Sequence, residues 1–215
     1  MPLSPQEILL RLTLVPVFVA TLIGGVQFRR LQPSLRYLAA GLIGFILPME
    51  VLGLAMLLQH RNNLFLMPIY TVGEFGLLAI VYCHALQSVP FTRLLPWLIG
   101  SFAAYAIIDS LSNNVMLFRP GQQIVQSVLI LGLVGLYFRK LLQELTITRL
   151  EREPMFWVST GLMIYFMGYL QIALFSNYLL RYSDQLNMNI WGLHSLLFML
   201  LYCCYSIALW MRPEK

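Results

Sequence analysis

Seven long apolar stretches follow one another along the chain, and they limit what it can fold into. Apolar residues make up 59% of its 215 residues and charged residues only 11%, whereas soluble domains carry about 25% charged residues. About 20 apolar residues in a helix cross a bilayer, and a helix satisfies its own backbone hydrogen bonds in lipid. The sequence therefore predicts one all-α domain, residues 1–215, forming a polytopic membrane protein with a seven-transmembrane-helix bundle. The predicted spans are 6–28, 37–58, 64–87, 95–118, 123–145, 155–180 and 189–211.

Basic residues are distributed unequally between the two ends of these spans. Ten lie at one end, in alternate connections and in the C-terminal tail: Arg29, Arg30, Arg36, Arg93, Arg139, Lys140, Arg149, Arg152, Arg212 and Lys215. Four lie at the other end: Arg11, Arg61, Arg119 and Arg181. Because cytoplasmic loops are enriched in Lys and Arg, this pattern predicts an outside N-terminus and a cytoplasmic C-terminus. The formal net charge of +5 then reflects membrane topology rather than nucleic-acid binding.

Three carboxylates, Glu50, Glu74 and Asp109, lie inside predicted spans. A charged group at the bilayer centre costs from about 3 to more than 10 kcal/mol, so such residues usually face a bundle interior and serve a function. At 1.5 Å per residue, all three lie roughly 13–17 Å below the outer ends of their helices. The common depth predicts one polar site in the outer half of the bundle, with at least two of the acids sharing a cavity.

Helical spacing places further polar and aromatic side chains beside these acids. Residues four apart share a helix face, which puts Tyr105 and Asn113 with Asp109, and Tyr70 one turn from Glu74. The predicted ligand-binding residues are Glu50, Tyr70, Glu74, Tyr105, Asp109, Asn113, Tyr169, Trp191 and His194. Hydrogen bonds that only hold the helices together are the alternative explanation for the tyrosines and for Asn113.

Several classes of protein are disfavoured by what the sequence lacks. Lys140 and Lys215 are the only lysines, and neither lies in the last span, which excludes a retinal Schiff base of the microbial-opsin type. No G-x-S-x-G, H-E-x-x-H or Walker pattern occurs, so we predict no enzyme activity, no cofactor and no nucleic-acid partner. A zinc site built from His194, Glu74 and Asp109 is chemically allowed, but no H-x-x-x-H pattern accompanies it.

The connection between the fifth and sixth spans is the longest basic segment on the predicted cytoplasmic side. Its Lys140–Glu144 and Arg149–Glu153 pairs have the i, i+4 spacing of a helix that continues beyond the bilayer. We predict that this segment contacts a partner through Arg139, Lys140, Arg149 and Arg152. A solvated helix extension and a contact within a homo-oligomer are the alternatives.

A weak repeat follows each predicted outside loop. Seven residues after Asn63, Arg119 and Asn187 comes a polar pair: Tyr70-Thr71, Gln126-Ser127 and His194-Ser195 respectively. The pattern is typical of one helix followed by three related hairpins, although chance also explains a similarity this low.

Three of the prolines within the predicted spans bear on helix shape. Pro96 is expected in the first turn of the fourth helix, where a missing N–H costs nothing. Pro48 and Pro68 lie deeper, and in lipid the carbonyls that they leave unpaired need neighbouring groups. These two prolines therefore predict helices that bend around a cavity.

Three stretches of the chain resemble one group of bacterial seven-helix proteins. They are HRNNLFLMPIYTVGEF (60–75), REPMFWVSTGLMIYF (152–166) and NIWGLHSLLFMLLYCCYSIALW (189–210). The group is associated with Bacteroidota-type genomes and has no activity to carry over. The resemblance spans most of the chain and implies the seven-helix topology and a location in the bacterial inner membrane. It assigns no catalytic residue.

These observations favour a seven-helix sensor that binds a small ligand, ion or lipid head group in an outer-leaflet pocket. The sensor would signal to a separate protein, such as a histidine kinase. The second hypothesis is a small transporter or a proton or cation pathway that uses the same carboxylates. A membrane-embedded enzyme is the third hypothesis, and no pairing of a nucleophile with a base supports it.

Overall fold

A computed structural model describes residues 12–59, 61–112, 120–144, 150–179 and 184–211. Within these ranges the chain is helical and contains no strand, which confirms the all-α prediction. Its long helices are α1 (Leu14–Gln27), α2 (Pro33–Leu58), α3 (Leu66–Leu86), α4 (Val89–Ser112), α5 (Gly121–Glu144), α6 (Pro154–Leu179) and α7 (Asp184–Trp210). Six of them, α2 to α7, are long and apolar enough to cross a membrane. The described part of the chain is therefore that of a multi-pass helical membrane protein.

The helix α4, described over Val89–Ser112, begins earlier in the sequence than predicted, at Val89 instead of residue 95. The end of α3 explains the shift: Gln87 adopts a left-handed conformation with φ 52°, and its N–H closes the helix on the carbonyl of Cys83. The chain then enters α4 at once, with Pro90 in the first turn, where proline is tolerated. Arg93 and Pro96 consequently lie inside α4, and the predictions of a loop position and of a first-turn position for them were wrong.

The helix α2 contains one widened, π-helical turn at Leu42–Ile46, where the N–H of Leu47 donates to the carbonyl of Leu42. Pro48 lies two residues after the end of this turn. A proline in a helix has no N–H to donate and collides with the carbonyl four residues earlier, and a widened turn relieves both problems. The turn also directs Phe45 against Gly73 of α3, where an added Cβ would overlap the Phe45 ring. Pro48 therefore sets where α2 departs from regular geometry, just before the segment that carries Glu50.

Helix packing closes a ring in the order α1, α2, α3, α5, α6, α7, with α7 returning to α1. The helix α4 lies outside this ring and packs chiefly on α3. It exposes Trp97, Ile107 and Leu111, as expected for a helix that faces lipid along most of its surface.

The middle of the bundle is filled by large side chains that are fully buried. This central layer consists of Phe75, Leu78 and Tyr82 of α3, Ile130 of α5, Leu162 of α6 and Tyr202 of α7. Within it, the Tyr82 hydroxyl is hydrogen-bonded to Ser159 Oγ of α6 at 2.8 Å. The central layer separates the two ends of the bundle.

Candidate functional site

A cavity of about 310 Å³ lies between α2, α3, α5, α6 and α7, beside the connection from α2 to α3. We call it the polar cavity. Its polar and aromatic lining residues are Glu50, Asn63, Tyr70, Thr71, Glu74, Gln126, Tyr165, Tyr169, His194 and Phe198. Its volume is near the lower end of the range of small-molecule sites, about 300–1,000 Å³.

The acids Glu50 and Glu74 both line this cavity. Glu74 is 7% exposed, and Gln126 Nε2 donates to Glu74 Oε2 over 2.7 Å across the α3–α5 contact. Glu50 reaches the cavity from the helical segment that follows the π-helical turn, and it lies close enough to Glu74 for their charges to interact. The widened turn and the α3–α5 contact thus bring together two acids that are far apart in the sequence.

The Tyr70 hydroxyl is a buried polar group without a partner. It lies beside the carboxyl of Glu50 and the hydroxyl of Tyr202, but it has no hydrogen-bonding geometry with either. Most buried polar groups are paired, and an exception calls for an explanation such as a ligand or an ion. Tyr70 lines the cavity, so its hydroxyl is accessible to a bound molecule as well as adjacent to Glu50.

Aromatic rings from α6 and α7 form the opposite wall of the cavity. The rings of Tyr165 and Tyr169 are stacked with centroids 5.7 Å apart, and the His194 ring is 5.0 Å from that of Tyr169. The Tyr165 hydroxyl and His194 Nε2 are 3.1 Å apart. Trp191 does not line the cavity, but its ring packs edge-on against His194 at 5.7 Å.

Asp109 and Tyr105 do not line the polar cavity, contrary to the prediction that they share its site. Both lie on α4, which packs outside the ring of helices. Asp109 Oδ2 accepts a hydrogen bond of 2.8 Å from Gln122, next to the first residue of α5. A helix N-terminus stabilises a nearby carboxylate, which gives Asp109 a structural role there. The predicted binding residue Asn113 lies outside the described residues.

The repeated polar pairs occupy equivalent places in three helices. In each pair the second residue is buried, and its hydroxyl bonds the carbonyl four residues earlier: Thr71 to Met67, Ser127 to Gln123, and Ser195 to Trp191. The first residues of the pairs, Tyr70, Gln126 and His194, all line the polar cavity. This equivalence is what three related hairpins would produce.

Five of the polar and aromatic lining residues were absent from the predicted binding set: Asn63, Thr71, Gln126, Tyr165 and Phe198. Two of them, Gln126 and Tyr165, had a signal in the sequence. Gln126 occupies the repeat position equivalent to Tyr70 and His194, and Tyr165 lies one helical turn from Tyr169. A repeat position is thus a better guide to the cavity than the depth of an acid within its span.

No group of three or more His, Cys, Asp or Glu side chains that could hold a metal ion occurs among the described residues. This finding argues against the zinc alternative. Asp109, one of the three proposed zinc ligands, lies outside the cavity that contains Glu74 and His194.

A second cavity, of about 690 Å³, lies at the opposite end of the bundle. Its lining includes His84 of α3, Tyr137 and Lys140 of α5, and Glu153. Lys140 Nζ donates to the carbonyls of Ala85 and Leu86, 3.0 Å from each, and thereby caps the C-terminus of α3. Burial raises the pKa of the Glu153 carboxyl above its usual range.

The predicted partner contacts on this face differ in their surroundings. Arg139 and Arg152 are exposed, whereas Lys140 is half-buried and bonded to α3. Arg149 lies outside the described residues. The structure therefore gives Lys140 an internal role in addition to its predicted position on the contact surface.

Comparison with known protein families, with curated proteins and with solved structures finds no match to this chain. The fold and the site define its class: a multi-pass helical protein with a polar, partly aromatic cavity inside its bundle.

Proposed function

We propose that this protein is a membrane sensor that binds a small ligand in the polar cavity and signals to a separate protein at the opposite face. The site consists of Glu50, Glu74, Tyr70, Gln126 and the aromatic wall of α6 and α7. In this proposal the N-terminus and the cavity face the outer side of a bacterial inner membrane, an orientation that the positive-inside pattern supports. The partner, such as a histidine kinase, would contact the surface that carries Arg139 and Arg152.

One observation carries this proposal: the two cavities lie at opposite ends of the same helices and are separated by the central layer. Along α3, the polar cavity reaches Glu74 and the second cavity begins at Cys83. The distance between these residues along the helix is about 14 Å at 1.5 Å per residue. A closed layer of this thickness favours a site that a ligand enters from one end of the bundle only. Binding can then affect the other end of the bundle through movement of the helices.

The second cavity also supports one alternative function. Two cavities facing opposite ends across a closed layer are expected for a transporter in a state that blocks passage. Such a protein would move the same small molecule by opening the central layer, with Glu50 and Glu74 as binding or relay groups. The sensor and the transporter differ in whether the bound molecule crosses the membrane.

Uptake by purified protein distinguishes these two functions. A small-molecule screen for compounds that raise the melting temperature of the protein first supplies a ligand. We expect that ligand to bind without saturable uptake into proteoliposomes, because the central layer stays closed in a sensor. Saturable uptake that disappears in the Glu74→Gln variant would contradict the sensor and support the transporter.

The contact surface is tested with the same ligand and the Arg139→Glu/Arg152→Glu double variant. Ligand affinity should stay within twofold of the unmodified protein, while ligand-dependent phosphorylation of the partner kinase, identified first by its co-purification with the unmodified protein, is lost. The control is Arg29→Glu/Arg30→Glu, which makes the same charge change at exposed positions of the α1–α2 connection. Both variants must first show correct insertion, since they weaken the positive-inside bias. Equal loss of phosphorylation in the two variants would count against a specific contact.

A further inference from the structure

The charge of the polar cavity restricts what it can bind. Glu50 and Glu74 lie close together, and no Lys or Arg is found among the described residues that line the cavity. His194 is the one basic side chain there, and the Tyr165 hydroxyl lies 3.1 Å from its Nε2 atom. The acids therefore have no cationic partner in the described lining. A buried acid pair of this kind favours a ligand that brings positive charge.

The hydrogen-bonding groups around the two acids also suit a ligand that donates hydrogen bonds. Glu74 accepts a hydrogen bond from Gln126, and carboxylates can accept several. The Tyr70 hydroxyl oxygen lacks a partner beside Glu50. An ammonium group has several N–H donors and no acceptor, and these side chains offer acceptors on one side of the cavity.

The aromatic wall formed by α6 and α7 suits a non-polar group of a ligand, or a cation that lies against the faces of the rings. Tyr165, Tyr169, His194 and Phe198 line it in continuous ring contact, with His194 and Phe198 stacked at 6.3 Å. Aromatic faces attract ammonium ions within about 6 Å of the ring centroid. An inorganic cation would not use such a wall, and the described residues contain no metal-ligand group of three.

We propose that the ligand class of the polar cavity is a small organic ammonium ion. Its charged head lies between Glu50 and Glu74 and donates to the Tyr70 oxygen. Its non-polar part packs on the wall formed by Tyr165, Tyr169 and Phe198. This inference rests on the proposed function, because it names the ligand of the same site. It also holds if that ligand is transported rather than sensed.

The test uses three compounds of similar size: 2-phenylethylammonium, the neutral 2-phenylethanol and the anion 3-phenylpropionate. Binding to the whole protein in lipid nanodiscs is measured by calorimetry, with empty nanodiscs subtracted to remove partitioning into lipid. We expect the ammonium compound to bind at least tenfold more tightly than the other two. Glu50→Gln and Glu74→Gln should each weaken this binding at least tenfold.

Two further variants separate the site from general effects of substitution. Asp109→Asn changes an acid outside the cavity, and its affinity should stay within twofold of the unmodified protein. Tyr70→Phe removes a hydroxyl that has no partner in the unliganded protein. It should therefore fold normally while its affinity for the ammonium compound falls severalfold. This variant keeps the test valid if a Glu→Gln variant fails to fold.

Specific outcomes would overturn the inference. It fails if 2-phenylethanol or 3-phenylpropionate binds as tightly as the ammonium compound, or if none of the three binds. It also fails if ammonium binding is unchanged in Glu50→Gln, Glu74→Gln and Tyr70→Phe. Failure of the sensor proposal has a different signature: the ammonium compound binds as described here and is also taken up into proteoliposomes.

Discussion

Gly73→Ala is expected to lower the free energy of unfolding by about 1–3 kcal/mol, the usual cost of overpacking a filled interior. The added Cβ would overlap the ring of Phe45, which the π-helical turn of α2 presses against α3. The α2–α3 contact must then separate or Phe45 must leave its position. Thermal unfolding of the purified protein in detergent measures the loss as a lower melting temperature.

Gly44→Ala is the matched control for this prediction. Gly44 lies in the same widened turn, and a Cβ added there meets nothing within 4 Å. Its melting temperature should therefore be unchanged or slightly raised, because alanine restricts the unfolded chain more than glycine does. Equal melting temperatures for Gly73→Ala and Gly44→Ala would contradict the described packing of α2 on α3.

Lys140→Met is expected to destabilise the protein by about 1–3 kcal/mol, in the range of hydrogen bonds made by a charged group. The ammonium group bonds the last carbonyls of α3, at Ala85 and Leu86, where a cation also complements the helix dipole. Methionine keeps the apolar stem but leaves both carbonyls without this donor. The measurement is again thermal unfolding in detergent.

Arg139→Met is the control, since it removes the neighbouring positive charge from an exposed position. Its stability should change by less than about 0.5 kcal/mol, as for most surface substitutions. A larger loss for Arg139→Met than for Lys140→Met would show that total charge on this face, and not the cap on α3, determines stability. The contact-surface test described above leaves Lys140 unchanged for this reason.

Hydropathy and helix punctuation were enough to predict the all-helical fold and most helix positions. The apolar runs are long, and short polar connections separate them, so spans such as 64–87 and 155–180 match α3 and α6 closely. The position of α4 was not predictable in this way. The residues from Val89 onward are apolar enough to begin a helix early, and the first-turn proline is Pro90, whereas Pro96 lies inside the helix.

The site was predictable in part, and Asp109 illustrates the limit. Depth along a span places an acid at a level in the membrane, but the direction of its side chain depends on how the helices pack. Glu50 and Glu74 point to one cavity because α2 and α3 are neighbours in the ring, whereas α4 lies outside it. The Glu74–Gln126 hydrogen bond joins residues 52 positions apart, a contact that no local pattern encodes.

Lys140 shows the same limit on the opposite face. From the sequence it is one of several basic residues in an amphipathic segment, and the positive-inside rule treats them alike. Its contact with the carbonyls of α3 depends on the packing of α5 against α3, which composition and spacing do not report.

Cysteine accessibility tests the central claim, that a cavity open at one end is closed from the other end by the central layer. The natural Cys83, Cys203 and Cys204 are first replaced by alanine. Single cysteines are then placed at Gly53 in the polar cavity, at Ile130 in the central layer and at His84 in the second cavity.

Each single-cysteine protein is treated, in sealed vesicles of either orientation, with a membrane-impermeant cationic thiol reagent. We expect position 53 to react only from the outer side and position 84 only from the cytoplasmic side. Position 130 should react from neither side, because a thiol needs water to ionise and react. Reaction of position 130 from either side, or of position 53 from both sides, would contradict the closed layer and the sensor built on it.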